Sequence, residues 1–368
     1  MSNHQGFSHP LFGTSVKNWV RLCSDHGGVD WVFLPRALFI TVVSFLLFPI
    51  RLFCTLMYRK KILQTRLIQP PIFIIGHWRS GTTFLHELLS SDPQFASVSL
   101  WHTLVPETFL GLEPVKKTMA WFLPRTRPMD AVEVDIDSPY EEEAGLAALS
   151  GLSFFHCFYF PRDAKRQFSK SVLFEGVTTE EKQRWKERYT WFLKAVTYSK
   201  KGQRLVVKNP ANTARIMILL ELFPSACFIH IYRNPYEVYA STIHMYQRVL
   251  HRFALQQISV DEIEQFIVQN YVSMMKQFFI QKDSIPNGHF VEICYEDFIA
   301  DPLSQMKKIY AELGLSGFED AKSGMEQYLA QQAKYVPNRH RVDEEKVQRV
   351  NMMWRFTVER WNYQPPTR

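Results

Sequence analysis

Between residues 76 and 83 the chain reads Gly76-His77-Trp78-Arg79-Ser80-Gly81-Thr82-Thr83, a composition suited to holding an anion. The two glycines let the backbone turn tightly, so that successive N–H groups and the N-terminus of a following helix face one point. The G-x-x-x-x-G spacing is that of a phosphate loop, yet the segment is not a Walker A motif. Thr82 stands where a nucleotide triphosphatase carries its lysine, and Arg79 supplies the cation earlier in the loop. A second cation, Lys208, closes the run Arg204 to Lys208. A lysine at the C-terminal end of a parallel strand points into the crevice where open α/β sheets bind their ligands.

The flanking residues predict the elements that position these groups. After Pro70 and Pro71, Ile72-Phe73-Ile74-Ile75 reads as a short buried strand, and Phe84, Leu85, Leu88 and Leu89 then recur at helical spacing. The order is strand, loop, helix. A second unit runs from Arg204 to Lys208, through a helix carrying Ile216, Leu219, Leu220 and Leu222, into a strand from Cys227 to Tyr232. Arg233-Asn234-Pro235 stops that strand and a helix follows. Helical spacing returns from Ile263 to Phe278, then a strand around Phe290 to Ile293 and a helix from about Pro302 to Leu313. The alternation predicts an α/β fold: a P-loop-like three-layer domain with a central parallel sheet flanked by helices.

The loop resembles that of the sulfotransferases that use 3′-phosphoadenosine 5′-phosphosulfate (PAPS), in the branch reading Pro-Arg-Ser-Gly-Thr-Thr, with Trp78 in place of the proline. The resemblance assigns Arg79, Ser80, Gly81, Thr82 and Thr83 to the phosphosulfate end of the donor. Arg233-Asn234-Pro235-Tyr236-Glu237-Val238-Tyr239-Ala240-Ser241 is similar to the family's Arg-x-Pro-x-x-x-x-x-Ser element, which implies that Arg233 and Ser241 take the 3′-phosphate. Arginine's planar fork engages two phosphate oxygens at once, and a serine hydroxyl adds a donor. Val207-Lys208-Asn209-Pro210-Ala211-Asn212 resembles the family's Lys-Ser-Pro-x-His segment, with Asn209 and Asn212 replacing its serine and histidine. There Lys208 would neutralise the bridging oxygen as the sulfonate leaves. Tyr295-Glu296-Asp297-Phe298 matches a segment read mainly as structural. Asn338-Arg339-His340-Arg341 falls where the branch closes a basic stretch over the nucleotide, which puts Arg339 and His340 among the donor-binding candidates; a solvated charge run explains it equally.

The resemblance runs from about Pro71 to Tyr363 and implies in-line transfer to a hydroxyl acceptor, with adenosine 3′,5′-bisphosphate as product and no metal. Such a reaction needs a base for the acceptor's proton. Two regions qualify. His102 follows Trp101 some twenty residues beyond the loop, and Glu141 and Glu143 lie in Asp137-Ser138-Pro139-Tyr140-Glu141-Glu142-Glu143, where crowded carboxylates raise one another's pKa. Either could instead be structural, as a core-edge histidine or as acids at a helix N-terminus.

Two other readings remain open: a P-loop kinase acting on a small molecule, and an inactive membrane-associated scaffold that retained the fold.

At 368 residues, with 46% hydrophobic and 14% aromatic side chains, the chain has ample material for a large core. A formal charge of +7 favours an anionic ligand or membrane surface, and no nucleic-acid-binding module is present. Cys23, Cys54, Cys157, Cys227 and Cys294 are odd in number and widely spaced, which argues against a disulfide framework. Trp31 to Tyr58 is the most apolar stretch, but Arg36 and Arg51 leave only Ala37 to Ile50 uncharged between them, too short for a simple spanning helix. The basic residues Arg59, Lys60, Lys61 and Arg66 follow. Residues 1–66 are therefore expected to form an apolar helical appendage, favoured as an anchor on a membrane surface, with a helical hairpin packed on the domain or a spanning helix as the alternatives, and residues 67–368 the catalytic domain. A cytoplasmic location at that surface is expected, with a hydroxylated small molecule or lipid as acceptor. The aromatic run Phe154 to Phe160 reads as core or as the lining of an acceptor pocket.

Overall fold

In the computed structural model of the protein, which describes residues 9–121, 135–332 and 342–366, the apolar runs become strands for the reason their composition implies. β1 (Ile72–Ile75) is buried along its whole length, as a strand covered by helices on both faces must be. β2 (Phe95–Ser97), β3 (Arg204–Lys208), β4 (Cys227–Tyr232) and β5 (Phe290–Cys294) complete a parallel sheet in the order β2-β3-β1-β4-β5. Helix α4 (Thr82–Ser90) turns Leu85, Leu88 and Leu89 onto Ile72, Ile74, Val206 and Ile229. Of these five strands only β2 was not among the predicted elements.

The register decides where the chemistry sits. β3 and β4 flank β1, with Ile74 beside Lys208 and Ile75 beside His230. Lys208 thus reaches the level at which β1 opens into its loop, while β4 continues two residues further to deliver Arg233. Chain direction across the sheet reverses at β1, and such a switch point leaves a crevice outside the C-terminal strand ends.

The described residues fall into two compact units. The sheet belongs to the unit formed by residues 69–97, 203–245 and 264–368. The other unit comprises residues 1–68, 98–202 and 246–263. In it α1 (Val16–Asp25), α2 (Leu34–Leu46) and α3 (Phe48–Gln64) are held by buried polar contacts. Thr14 Oγ1 and Asn18 Nδ2 donate to the Ala148 carbonyl, at 2.8 and 3.0 Å, and Arg51 Nε donates to Glu107 at 2.6 Å. The first 66 residues are therefore not a separate appendage in packing terms: Leu11, Trp19 and Leu22 are core residues of this unit. Phe154, Phe158 and Phe160 are also buried there, with the Phe154 and Phe158 rings edge to face at 5.1 Å.

Candidate active site

The loop after β1 is held open by two backbone positions that a side chain cannot occupy. Gly76 has φ 144°, and a Cβ there would lie 2.3 Å from the Ile231 carbonyl oxygen. Gly81 has φ 94°, and its Cβ would strike the Tyr295 ring at 2.3 Å. Arg79 adopts φ 72° although it is not glycine, a conformation that costs on the order of 1–3 kcal/mol and persists only where the surroundings impose it. Thr213, buried in the turn after β3, accepts the Gly76 N–H at 2.8 Å and ties the loop to its neighbour.

This loop brings the charged candidates of the sheet unit together. Arg79 Nε donates to Ser241 Oγ at 2.9 Å, although the two are 162 residues apart. Arg233 Nη1 donates to the Arg79 carbonyl at 3.2 Å, and its guanidinium lies 4.5 Å from the centre of the Tyr295 ring. On the other side Lys208 Nζ donates to Thr83 Oγ1 at 3.3 Å. Ser80 and Thr82 are buried between these points at the N-terminus of α4. Three cations, several hydroxyls and a helix N-terminus thus converge on one loop, an arrangement that fits a ligand with more than one anionic group.

Behind the loop the histidines are neutral. Burial pushes His86 down to about 3, with the Lys208 charge adding to the effect, and burial pushes His77 down to about 4. The positive charge facing the crevice therefore comes from Arg79, Lys208 and Arg233.

Several contributors were not singled out from sequence. Thr213 carried no motif. Tyr295 and Glu296 belong to a segment read as structural, yet Tyr295 packs on both Gly81 and Arg233, and Glu296 Oε1 accepts the Asn234 N–H at 3.1 Å. Asn209 caps the turn after β3 by accepting the Ala211 N–H at 2.9 Å, a local structural task.

The three base candidates belong to the other unit. His102 is buried in α5 (Leu100–Leu104), where Nδ1 accepts the Ser99 backbone N–H at 2.9 Å. That bond leaves the proton on Nε2, which donates to Ser199 Oγ at 3.2 Å. Burial also pushes its pKa down to about 3. Nδ1 is thus engaged in capping the helix and Nε2 in a bond to the Ser199 hydroxyl. Glu143 is fully buried and accepts the Phe154 N–H at 2.6 Å. Glu141 is half-exposed at the N-cap of the helix Glu142–Leu149. Arg339 and His340 lie outside the described residues.

Comparison with known proteins agrees with this geometry. The Sulfotransferase family model matches residues 70–320. The omega-hydroxy-beta-dihydromenaquinone-9 sulfotransferase Stf3 of Mycobacterium tuberculosis, and its counterpart in Mycobacterium bovis, are 31% identical over 369 residues, covering 99% of this chain and 94% of theirs. Among solved structures, sulfotransferase STF9 from Mycobacterium avium superposes with a TM-score of 0.67 at 16% identity, covering 97% of this chain and 98% of its own. Sulfotransferase STF1 from Mycobacterium tuberculosis gives 0.65 at 18% identity, covering 90% and 89%. These two share the fold. The match of the family model over the sheet, its loop and both flanking cation sites, with a relative alike along almost the whole chain, makes this protein a member of the sulfotransferase family.

Proposed function

We propose that this sulfotransferase takes its sulfonate from PAPS and passes it to the hydroxyl of a lipid or another membrane-partitioned alcohol. The observation that carries the donor assignment is the contact of Arg79 with Ser241 and Arg233, beside that of Lys208 with Thr83. One loop joins two anion sites, as a nucleotide with both a 3′-phosphate and a 5′-phosphosulfate requires. When bound, PAPS supplies a sulfonate activated by its anhydride bond to phosphate. The N–H groups of the loop and the start of α4 hold the phosphosulfate, and Arg233 and Ser241 hold the 3′-phosphate. Arg79 and Lys208 offset charge that develops on the sulfonate and the departing oxygen.

The acceptor hydroxyl must lose its proton as its oxygen attacks sulfur, and we assign that role to Glu141, the least buried of the three candidates, whose side chain makes no cap bond to its own helix. Glu141→Gln is expected to slow turnover by roughly 10²- to 10⁴-fold with donor affinity unchanged. His102→Ala should cost about 1 kcal/mol of stability through the lost cap and retain turnover. The reverse pattern would return the role to His102. A lipid-like acceptor is supported by the Stf3 relatives, named as sulfotransferases of omega-hydroxy-beta-dihydromenaquinone-9, a hydroxylated menaquinone derivative.

The test of the donor is thermal protection. Adenosine 3′,5′-bisphosphate is expected to stabilise the protein by about 2.7 kcal/mol at a hundred times its dissociation constant. ATP, which lacks a 3′-phosphate for Arg233 and Ser241, should protect much less at equal concentration. Equal protection by the two nucleotides would count against PAPS and favour a kinase.

A further inference from the structure

Helices α2 and α3 turn an apolar face outward. Their apolar residues recur at helical spacing, as Leu38, Val42 and Phe45 in α2 and Leu52, Phe53 and Leu56 in α3, and every one of these is exposed. The inward faces carry Ile40 and Ser44 in α2 and Arg51, Cys54 and Ile62 in α3, so apolar residues lie on both faces. A surface helix of a water-soluble domain keeps its outward face polar. Trp31, at the entry to the pair, is 81% exposed, Phe45 69% and Leu56 75%. A contiguous apolar surface of this kind marks an interaction site.

The charge pattern states what covers it. No aspartate or glutamate occurs between Asp30 and Glu87, and α3 and the segment after it carry Arg59, Lys60, Lys61 and Arg66, all exposed. An apolar face edged by cations and free of acids matches the boundary between the acyl chains and anionic headgroups of a bilayer. A second copy of the chain fits less well, because pairing this face with itself would gather both sets of cations.

The contacts also decide how the pair meets the membrane. Among the described residues no single helix is long and apolar enough to cross, and α2 and α3 together pass that test only as a pair bent by 44°. At 13 residues α2 is about 20 Å long, short of a hydrocarbon core of about 30 Å. Arg36 donates to the Ala254 and His251 carbonyls at 2.8 and 3.1 Å, and Arg51 to Glu107 and to the Gly13 and Thr14 carbonyls. An arginine on each helix therefore pins the pair along its own unit, leaving only the outer face for lipid.

We infer that α2 and α3 form a monotopic wedge that seats the protein in the interface of an anionic bilayer. This stands independently of the donor assignment. The test is flotation of the full-length chain with vesicles of phosphatidylcholine containing a minority of phosphatidylglycerol, and with vesicles of phosphatidylcholine alone. Strong flotation with the anionic vesicles and weaker flotation with the neutral ones is expected. Phe45→Asp with Leu56→Asp, both at exposed positions, should abolish binding to either vesicle while leaving the thermal midpoint and nucleotide protection unchanged. Lys60→Glu with Lys61→Glu should lower partitioning to the anionic vesicles by at least about tenfold and leave the neutral ones unaffected. Wild-type protein that fails to float, or aspartate variants that float like wild type, would overturn the inference. So would a lipid-free dimer that the aspartate pair converts to a monomer, since a second copy would then be the occupant.

Discussion

Lys208→Met is expected to lower kcat by about 10²- to 10³-fold and to leave the affinity for adenosine 3′,5′-bisphosphate within a few-fold of wild type. The lysine is buried at the end of β3, level with Ile74 through the register of the sheet, and its ammonium reaches Thr83 on the first turn of α4. In the proposed reading it is aimed at the loop that would hold the donor's leaving side. Charge on the departing oxygen grows only as the sulfonate transfers, so the interaction is strongest in the transition state, and its loss falls on kcat. Methionine keeps the volume of the stem, which guards against a packing defect, and an unchanged thermal midpoint is the control. A rise in KM with kcat intact would mean that Lys208 only binds. Single-turnover rates with preformed donor complex would separate the two outcomes.

That Lys208 was legible in the sequence follows from the kind of strand that carries it. β1, β3 and β4 are the buried central strands of a parallel sheet, and such strands read as unbroken apolar runs whose ends are marked by glycine, lysine or Arg-x-Pro. β2 is a three-residue edge strand, Phe-Ala-Ser, with neither alternation nor β-branching to announce it. The contact of Arg79 with Ser241 joins positions 162 residues apart and depends on tertiary placement alone. His102 did carry a readable signal of its structural role. Ser99 precedes it by three residues, the spacing of a capping box, with the imidazole standing where glutamate or glutamine is usual. In α2 and α3 the break near Pro49 was visible, because proline suits a first helical turn, and α3 begins at Phe48. Which face turned inward was not visible, because hydrophobic periodicity gives a stripe without saying whether protein or lipid covers it.

Acidification from pH 6.5 to 5.5 is expected to remove roughly 5 kcal/mol of stability, before carboxylate protonation contributes much. Five buried histidines account for it. Burial strips the imidazolium of water and pushes His9, His86, His102 and His156 down to about 3 and His77 to about 4, from an ordinary value of 6.5. Each folded-state value is depressed, so the unfolded chain binds more protons between pH 6.5 and the folded value. The stability these groups contribute is present above pH 6.5 and is lost progressively as the pH falls toward 4 and then 3. Over the single unit from 6.5 to 5.5 each costs about 1 kcal/mol, and five together approach the whole stability of a typical domain, about 5–15 kcal/mol. The measurement is denaturant unfolding across this range. His77→Phe keeps an aromatic ring beside Tyr271, whose centre is 4.8 Å away, and should remove one proton from the slope. His9, His102 and His156 belong to one compact unit and His77 and His86 to the other. If the units unfold in separate transitions, the first should show three protons of uptake and the second two, falling to one in His77→Phe. A total slope no steeper than one proton, about 1.4 kcal/mol per pH unit, would mean that water reaches most of these rings in the folded state.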